Sequence, residues 1–143
     1  FASPKSAIRT RPCLSMRICD SSEIAFDFLG ESPHGLMNIQ NVSTAHDMAK
    51  LTCKAMLIPL FKKVVGTKQY SCNPLNSNME VYNWTNTNRL LSMKGFSGAK
   101  TGVTDAAGPC LAAYYKSANH IFAIVICHSK SMDARWDEVQ LLV

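Results

Sequence analysis

Two apolar runs, Cys110–Lys116 and His120–His128, flank the short polar segment Ser117-Ala118-Asn119 and read as a β-hairpin. The second run, Ile121-Phe122-Ala123-Ile124-Val125-Ile126-Cys127, has no polar face at all. Such a strand belongs in the interior of a sheet. Immediately upstream, Ala99-Lys100-Thr101-Gly102-Val103-Thr104-Asp105-Ala106-Ala107-Gly108 joins a Lys-Thr-Gly triplet to a turn that feeds the hairpin. A cationic amine, a hydroxyl and a glycine on one strand suit a site that receives a carboxylate. The glycine would let a substrate lie close to the backbone.

The remaining pattern predicts helices around this sheet. Thr44 caps a helix start, with Asp47 three residues on. Ala45, Met48, Ala49, Thr52, Cys53, Met56 and Leu57 fall at three-and-four spacing and predict one buried face. Pro59 marks the expected end of that helix, with a short further turn through Phe61-Lys62-Lys63. Lys68–Cys72 and Met79–Trp84 read as strands joined by the turn cluster 73–78. Met132–Val143 reads as a closing helix carrying Ala134, Trp136, Val139 and Leu142. The class is α+β: an antiparallel sheet with flanking helices. Residues 1–25 show no clean period and read as a divergent or poorly ordered N-terminal segment, ahead of one domain over 26–143.

Composition narrows the function. A hydrophobic fraction of 47% with 17% charged residues describes a folded chain. No apolar run approaches the roughly eighteen residues of a membrane span. The net charge of +5 comes from scattered lysines and arginines. Nucleic-acid binding wants a denser basic stripe, so an anionic substrate is the better reading. The six cysteines form no C-x-x-C pair, and no metal site or cofactor is expected. Cys53, Cys110 and Cys127 lie in apolar segments where buried thiols are common, although an even count permits disulfides. Asn41-Val42-Ser43 and Asn83-Trp84-Thr85 match the glycosylation sequon without settling a compartment. The start, Phe1-Ala2-Ser3-Pro4-Lys5, shows no signal-peptide core and suggests a processed product or a fragment.

Four blocks then occur in a telling order: Pro33-His34-Gly35-Leu36; Ser43-Thr44-Ala45-His46-Asp47-Met48-Ala49; Asn86-Thr87-Asn88-Arg89-Leu90-Leu91; and Gly98–Thr104 with Ala107-Gly108. With the tail Ala134-Arg135-Trp136-Asp137-Glu138, the chain resembles the C-terminal half of the catalytic domain of serine-type D-Ala-D-Ala carboxypeptidases, the low-molecular-weight penicillin-binding proteins. The resemblance implies the DD-peptidase/β-lactamase-like fold and acyl-enzyme hydrolysis of a terminal D-alanine. It implies peptidoglycan-type peptides and β-lactams as binding partners, and a secreted or periplasmic setting.

By that resemblance Lys100 supplies charge and proton traffic, and Thr101 binds the terminal carboxylate. The Val103 backbone N–H forms half of an oxyanion hole. Gly102, Thr104 and, at the cleft rim, His34 complete the substrate contacts. The family's other two motifs, a nucleophilic S-x-x-K and an S-x-N, are expected before residue 1. The formal matches here fail on context: Ser97-Gly98-Ala99-Lys100 runs into a strand, Ser71-Cys72-Asn73 sits at a strand end, and Ser117-Ala118-Asn119 is a hairpin turn. The isolated chain is therefore expected to show no turnover unless an upstream segment or partner chain completes it. The alternatives are a β-lactamase or esterase relative and a non-catalytic fragment or pseudoenzyme. An arginine that many family members carry after the central strand is expected at residue 129, which is Ser129 here, beside Lys130.

The plainer readings stand beside these. Lys100 could be an edge-strand lysine in solvent, and Thr101 an ordinary strand residue. His46 reads as a solvated first-turn residue, and His120 and His128 as strand-end histidines. Asp47 reads as a helix-start anion. Asn86 and Asn88 are expected to hold their loop through backbone hydrogen bonds.

Overall fold

The computed structural model describes residues 13–18, 41–75 and 80–143. The block around Pro33-His34-Gly35 and part of the 73–78 turn lie outside these residues. Four strands form an antiparallel sheet in the order β1-β6-β5-β4: β1 is Cys13–Ile18, β4 Phe96–Thr104, β5 Gly108–Lys116 and β6 Ile121–Cys127. The apolar run at 121–127 is thus an interior strand, between β1 and β5. Strand β1, pairing Cys13 with Cys127 and Ile18 with Phe122, lies within the N-terminal stretch where no period was visible.

Both faces of β6 are covered, as its composition demands. On one face Leu90, Phe96, Leu111, Ala113, Ile124 and Ile126 pack with Trp136 and Val139 of helix α3, Ala134–Gln140. On the other, Ala112, Ala123 and Val125 meet Ala45, Ala49 and Cys53 of helix α1, Ala45–Ala55. Small alanines on both partners let the α1 backbone approach the sheet closely. Fully burying a side chain such as Leu111 or Ile124 contributes about 1.5–3 kcal/mol.

Helix α1 starts where its cap predicts. Thr44 accepts from the Asp47 N–H at 3.1 Å and donates to the Asp47 carboxylate at 3.0 Å, the reciprocal pairing of a capping box. Leu57 departs from the predicted face: it lies past the helix end and is 69% exposed. Pro59 opens helix α2, Pro59–Gly66, instead of closing α1. Its missing N–H costs nothing in a first turn. Met56 and the α2 residues Phe61 and Val65 pack against Ala99 and Tyr114. Cys53 also departs from expectation, because it is disulfide-bonded.

Strands β2, Gln69–Cys72, and β3, Tyr82–Thr85, form a separate hairpin whose Tyr70, Tyr82 and Trp84 rings pack side by side. A 3-10 turn, Arg89–Ser92, leads into β4. Among the described residues no helix is long and apolar enough to cross a membrane.

Candidate active site on strand β4

Lys100, Thr101, Gly102, Val103 and Thr104 all lie on β4, the strand at one edge of the four-stranded sheet. Backbone direction along it follows from one bond. Ser129 N–H donates to the Pro109 carbonyl at 2.9 Å, so residue 109 turns its backbone polar group toward β6. Alternation along a strand then turns those of Cys110 toward β4. Val103 stands opposite Pro109, which has no N–H to offer. The Val103 N–H therefore points away from β5, out of the sheet edge, and Val103 is 56% exposed.

Gly102 sits between these features. A Cβ built there would meet no atom within 4 Å, so the fold itself does not require a glycine at this position. The space above the backbone is open. Gly108 is the opposite case: its φ is +64°, and a Cβ would come within 2.8 Å of the His128 ring. His128 Nδ1 lies 3.1 Å from the Ala107 carbonyl and fastens the β4–β5 turn. Thr104 belongs to the same turn, its hydroxyl accepting from the Ala107 N–H at 3.0 Å.

The Lys100 amine is exposed and donates to the carbonyl of Thr101. The Thr101 and Thr87 hydroxyls lie 3.0 Å apart. Thr87 is held by its neighbours: Asn86 Nδ2 donates to the carbonyls of Val65, at 3.2 Å, and Thr67, at 2.9 Å. Asn86 Oδ1 accepts from the Asn88 N–H, and Asn88 Oδ1 from the Leu90 N–H. The two asparagines thus act as loop braces, as their side-chain chemistry predicts. His34 lies outside the described residues.

The cation behind the strand is not where the resemblance put it. Ser129 is buried and Lys130 exposed. Arg135, from α3, is 5% exposed and directs Nη1 to the carbonyls of Cys110, at 3.2 Å, and Gly102, at 3.5 Å. Its guanidinium carbon lies 4.7 Å from the centre of the Trp136 ring. Burial, and secondarily the nearby Arg89, disfavour its charged form. The Nε atom of Arg135 is buried with no hydrogen-bond partner. Arg89 itself pairs with Asp133 at 2.8 Å on the surface. Sequence reasoning did not single out Arg135 as a candidate; the adjacent Trp136, on the buried face of α3, is the signal that its helix turns inward.

Ser97, the first residue of the formal S-x-x-K match, lies inside β4 and not at a helix start. Among the described residues no group of three or more His, Cys, Asp or Glu could hold a metal.

An antiparallel sheet covered by helices on both faces, with Lys-Thr-Gly on its edge strand, defines a class, and comparison with known proteins gives the family. The sequence pattern of D-alanyl-D-alanine carboxypeptidases, peptidase S11, matches residues 27–131, and the chain belongs to that family. Among solved structures it is similar to the Streptomyces K15 DD-transpeptidase, with 31% identity over 72% of this chain and 41% of that one, at a TM-score of 0.66. It is also similar in fold to penicillin-binding protein D2 from Listeria monocytogenes in its cefotaxime-bound form, with 23% identity over 80% of this chain and 46% of that one, at a TM-score of 0.69. The chain therefore spans less than half the length of either. Among curated proteins, none matches.

Proposed function

We propose that this chain forms the Lys-Thr-Gly wall of the cleft in a serine-type D-Ala-D-Ala carboxypeptidase. The observation that carries this reading is the outward Val103 amide beside the uncovered Gly102 backbone, on an edge strand flanked by two cations. A peptide ending in D-Ala-D-Ala would lie along β4. Its terminal carboxylate would meet the Thr101 hydroxyl and the positive field of Lys100 and Arg135. The carbonyl of its penultimate residue would sit at the Val103 N–H. His34 and Thr104 are lesser contacts at the rim.

The reaction needs a serine, and among the described residues the S-x-x-K match at Ser97 lies inside β4 and does not supply one. The serine oxygen attacks the carbonyl, its proton passes to a lysine, and charge develops on the oxygen facing Val103. The C–N bond then breaks, D-alanine leaves with the proton, and an ester remains on the serine for water to hydrolyse. We place that serine in a segment preceding residue 1 or on a partner chain.

The test compares the isolated chain with the chain extended upstream in its reading frame. The extended protein is expected to release D-alanine from a D-Ala-D-Ala peptide and to be acylated by a labelled penicillin. The isolated chain is expected to do neither. Penicillin acylation of the isolated chain would overturn the placement of the nucleophile. An extended protein that turns over β-lactams faster than it releases D-alanine would assign it to the β-lactamases instead.

A further inference from the structure

Cys110 and Cys127 are both reduced and face each other across β5 and β6. Leu111 pairs with Ile126, and the two cysteines stand one residue further along. Because the Pro109 carbonyl points to β6, Leu111 and Ile126 form the hydrogen-bonded pair of the ladder. Cys110 and Cys127 lie just past this last pair, on the same face of the sheet, where the strand irregularity at the positive-φ His128 begins. Disulfides bridge Cα separations of about 4.4–6.8 Å. The Cys127 thiol hydrogen-bonds to the Cys110 sulfur, and Cys110 Sγ donates to the Ala107 carbonyl at 3.5 Å. Both residues are only half-buried, so a small reagent can reach them. Cys53, on the helix packed against this face, is already disulfide-bonded, so oxidised sulfur is compatible with this fold.

We propose that Cys110 and Cys127 are a reversible disulfide site, closed by exchange with a small disulfide of the glutathione class. Cys110 attacks one sulfur of the oxidised reagent, breaks its S–S bond and expels one thiolate. Cys127 then attacks the Cys110 sulfur, and its proton ends on the second departing thiol. Two electrons pass from the protein to the reagent, which leaves as two reduced thiols. The neighbourhood suits Cys110 to the attacking role. The Cys127 thiol, the His128 backbone and ring, and the Arg135 guanidinium together lower its pKa to about 6. The bond would form at the β5 residue paired with Gly102, joining the substrate strand's neighbour to the interior strand. This site stands independently of the catalytic reading.

The full chain is incubated with oxidised glutathione, its remaining thiols are alkylated, and peptides are mapped by mass without reduction. A Cys110–Cys127 linked peptide is expected, reopened by dithiothreitol and unaffected by Cys72→Ser. In Cys127→Ser the glutathione adduct at Cys110 is expected to accumulate at least roughly tenfold over the wild type, because the resolving thiol is gone. Three results would overturn the proposal: a wild-type chain that keeps glutathione on Cys110, one in which Cys110 stays alkylatable, or one in which Cys127 links to Cys13, its register partner on β1. If Cys127→Ser does not fold, the wild-type map decides alone.

Discussion

Arg135 Nη1 donates to the carbonyl of Cys110 at 3.2 Å and so sets a buried cation behind the residue pair Gly102–Cys110. Its Nη1 meets backbone carbonyls of both strands, Cys110 on β5 and Gly102 on β4. Replacing it by an apolar side chain of similar length removes a buried charge without orphaning a partner ion. In the upstream-extended protein, Arg135→Met is expected to keep its melting temperature within a few degrees. Its acylation by a labelled penicillin is expected to slow roughly tenfold to hundredfold, the equivalent of one charged hydrogen bond. Stopped acylation with an unfolded protein would remove Arg135 from the site and make it purely structural.

Gly102 separates binding from folding. Because a Cβ there meets open space, Gly102→Val is expected to fold with a urea midpoint close to the wild type. The same side chain would occupy the surface along which a substrate lies, so penicillin acylation of the extended protein should fall well over tenfold. A substitution that leaves acylation intact would mean that substrate does not approach this backbone.

Asn86 ties the end of α2 to the loop before β4 through Val65, Thr67 and Asn88. Asn86→Ala deletes those bonds and leaves part-buried carbonyls without donors. A loss of about 2–3 kcal/mol in urea unfolding is expected. Thr87, which meets Thr101, should loosen with it, so amide exchange at 86–88 is expected to accelerate more than exchange in β5 or β6.

The helix α1 start confers acid sensitivity. The Thr44 hydroxyl, and after it Lys50, hold the Asp47 carboxyl below its usual range. A depressed folded value contributes stability above the unfolded carboxylate range and loses it as pH falls through the folded value. Asp47→Asn is therefore expected to destabilise the chain at pH 7 and to flatten its stability profile below about pH 4. Thr44→Ala should cost about 1 kcal/mol at neutral pH, read by thermal or urea unfolding.

Cys110 should be the fastest thiol toward iodoacetamide in mildly acidic solution. Its alkylation rate is expected to reach half its plateau near pH 6, below the ordinary thiol range. Cys127, His128 and Arg135 face it, and in Arg135→Met the half-point should move upward. An unmoved half-point would assign the shift to Cys127 and His128 alone.

Some elements needed only neighbouring residues to be legible. The Thr44 cap, the 117–119 turn and the interior position of 121–127 follow from local chemistry and from a strand with no polar face. Asn86 and Asn88 were readable because short amide side chains bond their own loop. Other features depend on partners far along the chain. Strand β1 has no period of its own and exists by pairing with β6. Leu57 continued a helical spacing that the chain abandons one residue earlier, and Pro59 suits the start of a helix as well as the end of one.

The triplet Lys100-Thr101-Gly102, its order among the other blocks and the apolar strand beside it belong to the sequence by itself, and they sufficed to indicate the family. Whether a backbone amide faces outward depends on which residue it stands opposite. The outward Val103 N–H, the arrival of Arg135 behind Gly102 and the meeting of Cys110 with Cys127 were therefore decided by sheet register and helix packing. Those are long-range pairings, and no short window of residues encodes them.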